Sequence, residues 1–219
     1  MPGETSFNDA RPEAENSPPE RLYLVTPPRI APDFVSVLND TLAAAPVACV
    51  RLDLGMAEEA DWRRAADLLM PTCHEADVAL VIADHWRLVS ALGLDGVHLA
   101  DARVKLRDVR EELGPDRIIG AHAGASRHRG MILAEAGADY VSFGPVGETG
   151  LLGDAERATG ELFQWWNQMI EVPSVAEGGI TEDIAARLSA EADFIVPDIG
   201  IWEDDDPPAR FRAFAAALA

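Results

Sequence analysis

The chain has 219 residues, of which 48% are apolar, and 38 acidic against 18 basic side chains give it a formal charge of −20. That length suits one large domain or two small ones and can bury an ample core. A charge this negative opposes binding to nucleic acid and to anionic lipid, because both depend on Lys and Arg. No stretch approaches the roughly 18 consecutive apolar residues of a membrane helix. We therefore expect neither nucleic acid nor a membrane as a partner.

The first 20 residues form a compositionally distinct segment, rich in Pro, Glu, Asn and Ser and almost without large apolar side chains. Such a segment cannot offset its ordering entropy, so we expect residues 1–20 to be a disordered tail. It has neither an apolar nor an Arg-rich targeting pattern. Cys49 and Cys73 lie in apolar contexts without C-x-x-C spacing, which predicts buried thiols in a reducing cytoplasm.

From Leu22 onward, a short apolar run rich in β-branched residues recurs, and each run is followed by a stretch with helical spacing. The eight predicted strands are 22–26, 47–53, 78–84, 95–99, 117–121, 139–143, 172–177 and 193–197. Helix-starting residues predict helices over 33–45, 58–70, 126–136, 181–190 and 209–218, the second of them ending before Pro71. Eight alternating units favour a closed (β/α)8 barrel, a TIM barrel, as a single domain over 21–219. An open doubly wound sheet is the alternative, but no G-x-G-x-x-G follows the first strand.

Polar residues follow most of these strands at their carboxyl ends, where a (β/α)8 barrel carries its site. They are Thr26, Arg51, Asp53, Asp84, His98, His122, Glu177 and Asp198. The clearest local pattern is Gly178-Gly179, after the seventh strand and before the helix-starting Thr181. Glycines let the backbone approach a ligand closely, and exposed N–H groups near a helix start favour phosphate. A tight turn into the helix explains the pair equally well.

Five short motifs stand in the order in which they occur in thiamine phosphate synthases: 22–26 (LYLVT), 93–99 (GLDGVHL), 118–120 (IIG), 137–145 (GADYVSFGP) and 178–181 (GGIT). From Arg21 onward the chain resembles that family, which also includes the thiazole tautomerases. The resemblance implies a (β/α)8 barrel that joins hydroxymethylpyrimidine pyrophosphate to thiazole phosphate. The implied products are thiamine phosphate and pyrophosphate, and the implied cofactor is Mg²⁺.

Only part of the family's site carries over by position. The resemblance implies that Asp84 binds the metal and that Thr149, Gly178 and Gly179 bind phosphate. Elsewhere the family's residue is replaced, by Arg51 (for Gln), Asp53 (for Arg), Gly55 (for Lys), Arg103 (for the second metal acid), Leu151 and Leu152 (for Thr and Lys) and Ile199-Gly200 (for Ser-Ala). His122 falls on or near a serine. We assign catalytic roles to His122, Asp84 and Arg51.

These replacements remove cations that would hold a diphosphate through charge-assisted bonds, each worth about 1.5–3 kcal/mol. Asp53, Glu177 and Asp198 add negative charge at the same rim. The chain therefore resembles a synthase with diverged active-site motifs, and whether it is an active transferase stays open at this point. The alternatives are a tautomerase-like protein with His122 as its acid and base, or a non-catalytic protein that binds a phosphorylated small molecule.

Two further hypotheses remain. A metal site could form from the side chains Asp84, His98, His122, Glu177 and Asp198, although histidine spacing gives it no support. A homodimer is also open, because the adjacent Trp165 and Trp166 cannot both face the core of one chain.

Overall fold

A computed structural model describes residues 21–101, 103–148 and 156–218 of the chain. The predicted tail over 1–20 and the predicted phosphate ligand Thr149 lie outside the described residues, as do Leu151 and Leu152. None of the described helices is long and apolar enough to cross a membrane.

Eight parallel strands close into a barrel in chain order, which confirms the predicted (β/α)8 fold. They are β1 Leu22–Val25, β2 Val47–Leu52, β3 Ala79–Ala83, β4 Gly96–Leu99, β5 Ile118–His122, β6 Tyr140–Phe143, β7 Ser174–Ala176 and β8 Phe194–Ile195. The barrel closes where Leu22 of β1 pairs with Ile195 of β8, and the Ile195 N–H donates to the carbonyl of Arg21 at 2.9 Å.

A helix follows each strand and packs on the outside. The helices are α1 Phe34–Leu42, α2 Glu59–Glu75, α3 Arg87–Leu92, α4 Leu106–Leu113, α5 Arg127–Glu135, α6 Gly160–Met169, α7 Glu182–Leu188 and α8 Pro207–Ala216, with a 3₁₀ helix at Ile199–Glu203. The prediction that the second helix ends before Pro71 is wrong, because α2 continues through it. Pro71 is exposed, while Trp62, Leu69 and Cys73 are buried along the same helix. Burial of that apolar face holds the helix together across the missing N–H of proline.

The barrel interior is filled by a small cluster of side chains from the strands and from the residue that follows β8, namely Tyr23, Cys49, Val81, Tyr140, Val175 and Val196. The Tyr140 ring occupies this space because β5 has a glycine opposite it: a Cβ at Gly120 would lie 1.9 Å from the ring. Inward-facing side chains thus close the barrel below its carboxyl end, and open space is left only above them.

The cysteines and tryptophans bear on two of the predictions. Cys49 and Cys73 are free and buried, as expected, and burial raises the pKa of each thiol to about 12. Trp166 is buried, and its indole N–H donates to the Val172 carbonyl at 2.7 Å. Trp165 packs edge-to-face against Trp166, with the Arg127 guanidinium 5.0 Å from its ring centre. Residues of the same chain therefore accommodate both tryptophans.

Candidate active site

A cavity of about 440 Å³ opens at the carboxyl ends of the strands, where the sequence predicts the site. Five of the six predicted site residues line it, namely Arg51, Asp84, His122, Gly178 and Gly179. Asp53, His98, Glu177 and Asp198 line it as well. A larger open groove of about 1010 Å³ lies beside α2 and contains none of the predicted site residues.

Glu177, directly after β7, is the centre of the hydrogen bonding in this cavity. One carboxylate oxygen, Oε2, accepts a bond from Nη2 of Arg51 at 2.8 Å. The other, Oε1, accepts from the Ser142 hydroxyl at 2.6 Å and from Nδ1 of His122 at 2.8 Å. Burial opposes ionisation of this carboxyl, but the Arg51 charge and then the His122 bond hold its pKa well below the usual range. Arg51 and Glu177 therefore form a buried ion pair.

A second, uncharged chain of hydrogen bonds lies below the ion pair. Nδ1 of His98 lies 3.0 Å from the Tyr140 hydroxyl, which in turn lies 2.8 Å from the Tyr23 hydroxyl. Burial, and then the Arg51 charge, lowers the pKa of His98 well below 6.5, while burial raises the pKa of both tyrosines. All three side chains are neutral at pH 7. His98 is thus part of the internal hydrogen bonding of the barrel.

The bonds of His122 fix the tautomer of its ring. An ionised carboxylate only accepts hydrogen bonds, so Nδ1 of His122 carries the hydrogen that is donated to Glu177. The other ring nitrogen, Nε2, has no hydrogen-bond partner among the described residues. The side chain is 27% exposed and lines the cavity. The arrangement is that of a histidine–carboxylate pair with one nitrogen free to exchange a proton.

Asp84, directly after β3, holds the loop that follows β4. Its Oδ1 accepts from the backbone N–H groups of Ala100 at 2.7 Å and Asp101 at 3.0 Å. Asp101 in turn accepts two-pronged bonds from Arg103, which lower the pKa of its carboxyl to about 2. Arg103, at the position of the second metal acid, thus binds a neighbouring carboxylate.

The hypothesis of a five-residue metal site is wrong for the part of the chain that the structure describes, since no three His, Cys, Asp or Glu side chains there could hold an ion. His122 and Glu177 bond to each other instead. Mg²⁺, however, usually takes one or two protein carboxylates and completes its shell with water and substrate phosphates. Oδ2 of Asp84 has no partner among the described residues. Asp84 therefore fits a Mg²⁺ ion that arrives with a diphosphate.

The Gly178-Gly179 turn brings two loops of the rim together. Both glycines have positive φ, +87° and +68°. The Gly178 carbonyl accepts bonds from the N–H groups of Val146 at 3.0 Å and Gly147 at 2.9 Å. A Cβ at Gly179 would lie 2.5 Å from the Glu148 carbonyl oxygen. Within the described residues, the N–H groups of Gly178, Gly179 and Ile180 find no acceptor, and the two glycines line the cavity.

Comparison with known proteins places this site in a family. Residues 22–196 match the family model described as thiamine monophosphate synthase. The chain belongs to that family. The thiamine-phosphate synthase of Rhodospirillum centenum is 40% identical over 191 residues, which cover 86% of this chain and 92% of the relative. The thiamine-phosphate synthase of Hyphomonas neptunium is 40% identical over 211 residues, which cover 93% of this chain and 96% of the relative.

A solved structure supports the fold of this family member. The thiamine phosphate pyrophosphorylase from Pyrococcus furiosus superposes with a TM-score of 0.78 at 24% identity. The match covers 91% of this chain and 95% of that one. The resemblance that the five motifs indicate is therefore confirmed.

Sequence reasoning missed the pairing at the centre of this family member's site. It treats Glu177 as an uncompensated charge beside the phosphate, whereas the structure balances that charge with Arg51. It also passes over Ser142, a polar residue inside the apolar strand β6. A buried hydroxyl facing inward from a strand needs a partner, and that requirement is the signal that could have found it.

Proposed function

We propose that this chain is a thiamine phosphate synthase that joins hydroxymethylpyrimidine pyrophosphate to thiazole phosphate. The family match over 22–196 and the relatives at 40% identity support the predicted role in thiamine biosynthesis. The same comparisons do not favour the tautomerase-like and non-catalytic alternatives. A homodimer and a cytoplasmic location stay predictions.

The observation that carries the proposal is the set of unpaired amide groups at the rim. The N–H groups of Gly178, Gly179 and Ile180 have no acceptor among the described residues, and both glycines line the cavity. Successive backbone N–H groups in a turn with positive φ form a concave donor set suited to phosphate oxygens. We assign phosphate binding to Gly178 and Gly179, together with Thr149.

Asp84 is the residue we assign to Mg²⁺. When bound, the ion neutralises charge on the diphosphate. Asp53 and Asp198 line the cavity together with Asp84. Their negative charge attracts cations to the rim and repels a diphosphate that has no bound metal. We therefore expect the pyrimidine substrate to bind only together with the metal.

Arg51 gives the lining of the cavity its positive charge. Glu177 holds its Nη2, while its Nε is buried and has no hydrogen-bond partner among the described residues. A buried N–H without an acceptor is costly, and this one lies 3.9 Å from Oδ2 of Asp53. We propose that Arg51 contacts the substrate through the 11% of its side chain that is exposed in the cavity.

The test is direct synthesis. The purified protein, incubated with both substrates and Mg²⁺, should form thiamine phosphate, and omitting Mg²⁺ should abolish the product. Gly179→Asp places a carboxylate in the phosphate cradle and should remove thiazole phosphate binding measured by calorimetry. The synthase from Rhodospirillum centenum is the positive control. If that relative is active and this chain yields no product, the proposal fails.

A further inference from the structure

The departing diphosphate meets an unusual shortage of cations in this cavity. Among the described residues that line it, Arg51 is the only Lys or Arg, and Glu177 neutralises it at 2.8 Å. Asp53, Asp84 and Asp198 add negative charge. Negative charge develops on a diphosphate as its bond to carbon breaks, and it must be met by a cation, a hydrogen-bond donor or a proton. Mg²⁺ and the rim amides would meet part of this charge, and in a described lining with no Lys or Arg besides Arg51 a proton donor would meet the rest.

Two histidines line the cavity, and only one of them can supply that proton. His98 is 3% exposed, bonds to the Tyr140 hydroxyl and is kept neutral by burial. His122 is 27% exposed, and its Nε2 has no partner among the described residues. Its other nitrogen donates to the ionised carboxylate of Glu177 at 2.8 Å, which holds the ring with Nε2 turned away from that bond.

We propose that His122 is the general acid of the reaction and that Glu177 is its positioning residue. The bond between the pyrimidine methylene carbon and the diphosphate oxygen breaks, and its electron pair stays on that oxygen. Nε2 of the imidazolium gives its proton to the diphosphate, while the lone pair of the thiazole nitrogen forms the new bond to the methylene carbon. The neutral ring then regains a proton from water. This inference rests on the proposed function.

The surroundings of His122 determine how its proton responds to pH. Glu177 and Ser142 contact Nδ1, and Arg51 lies on the far side of the Glu177 carboxylate. His98 approaches the same carboxylate at 3.9 Å from β4. A neighbouring groove that His122 also lines carries five charged residues, namely Asp101, Lys105, Arg107, Asp108 and Arg129. Glu177 is the charged group in direct contact with Nδ1, so its removal changes the charge beside the ring more than any other substitution here.

The first experiment compares leaving groups. Three pyrimidine substrates carry CH₂, O or CF₂ between the two phosphorus atoms, which makes the departing group progressively less basic. In His122→Gln, kcat for the natural diphosphate should fall by about 10²-fold. The loss should be larger for the CH₂ substrate and smaller for the CF₂ substrate, because the least basic group needs a proton least. His128→Gln, at an exposed position of α5, should leave all three rates unchanged.

The second experiment measures kcat against pH. In the wild type, kcat should decline as pH rises and the ring loses its proton, and this decline should be absent in His122→Gln. In Glu177→Gln the decline should move to lower pH, an effect that loss of packing alone would not produce. Should Glu177→Gln fold poorly, the double variant Arg51→Gln/Glu177→Gln removes the whole ion pair and should show a smaller displacement in the same direction, because the lost Arg51 charge partly offsets the lost carboxylate.

The outcomes separate this inference from the proposed function. Suppose that the wild type forms thiamine phosphate but that the His122→Gln substitution lowers kcat by the same factor with all three leaving groups. His122 is then not the general acid. An unmoved pH decline in both Glu177 variants would remove Glu177 as its positioning residue. Absence of thiamine phosphate with the wild type overturns the proposed function, and this inference with it.

Discussion

At the scale of single residues, Glu177 determines the charge balance of the cavity. Its carboxylate meets a guanidinium, a hydroxyl and an imidazole within 2.8 Å. Taking such a charge out of water is expensive, and only its partners offset the cost. Removal of one partner of a buried ion pair therefore lowers the free energy of unfolding far more than removal of both partners.

Arg51→Gln should therefore lower the free energy of unfolding by about 3 kcal/mol, because it leaves Glu177 buried without its counter-ion. The double variant Arg51→Gln/Glu177→Gln should recover most of that loss. Urea unfolding of the two single variants and the double variant measures the coupling. Arg103→Gln breaks an exposed ion pair and should leave the midpoint unchanged. Simple additivity of the two single losses would contradict the expected coupling.

His98 predicts a dependence of stability on pH. Burial keeps its pKa in the folded protein well below 6.5, so below pH 6.5 the unfolded chain binds a proton that the folded protein does not. Stability should thus fall with falling pH from about 6.5, by up to about 1.4 kcal/mol per pH unit. Because the pKa of the Glu177 carboxyl is lowered in the folded protein, its protonation causes a further loss of stability only below about pH 4.5.

Urea midpoints measured from neutral pH down to about pH 5 test this pH dependence. In His98→Gln the midpoint should fall less steeply with falling pH than in the wild type. Glutamine still offers a partner to the Tyr140 hydroxyl. His128→Gln should keep the wild-type slope, as the ring of His128 is exposed. Parallel slopes for the wild type and His98→Gln would mean that other groups are responsible.

At the scale of elements, apolar runs predict the strands well and their ends less well. Predicted strand 193–197 shortens to two residues in β8, and 172–177 shortens to three in β7. The residues that follow them, Glu177 and Val196, line the site and lie beyond the strand ends, although each still donates one backbone N–H bond to the neighbouring strand. Ladder pairing depends on the neighbouring strand, which the local sequence does not specify.

The glycine turn after β7 gives a prediction at this scale. Gly55 and Gly179 have similar positive φ values, +59° and +68°. A Cβ at Gly55 would meet nothing within 4 Å, whereas one at Gly179 would lie 2.5 Å from the Glu148 carbonyl oxygen. Gly55→Ala should cost about 1–2 kcal/mol through its backbone conformation alone. Gly179→Ala should cost at least about 1 kcal/mol more through the clash.

Thermal or urea unfolding of both variants measures the difference. Because the clash displaces the phosphate cradle, only Gly179→Ala should also raise the KM for thiazole phosphate. Equal stability losses in the two variants would show that the loop over 146–148 yields to the added methyl group, and the close packing of the rim would then be unimportant for stability.

At the scale of the whole molecule, the sequence predicts the architecture and the location of the site but not its internal bonding. Eight repeated units and five ordered motifs are sufficient to predict the barrel. Their positions at the strand ends are sufficient to predict that Arg51, Asp84, His122 and Gly178 line one cavity. The Arg51–Glu177 bond joins residues 126 positions apart. The register of the strands and the closure of the barrel determine which polar residues meet across it. The local sequence pattern specifies neither of them.

Barrel closure between β1 and β8 also has a consequence for how the chain is made. Leu22 of β1 leaves the ribosome 173 residues before its pairing partner Ile195. Until then one edge of β1 exposes unpaired backbone groups, of the kind through which nascent chains associate wrongly. The growing polypeptide therefore carries an open sheet edge while β2 to β7 are made, and chaperone demand should be greatest just before β8 emerges.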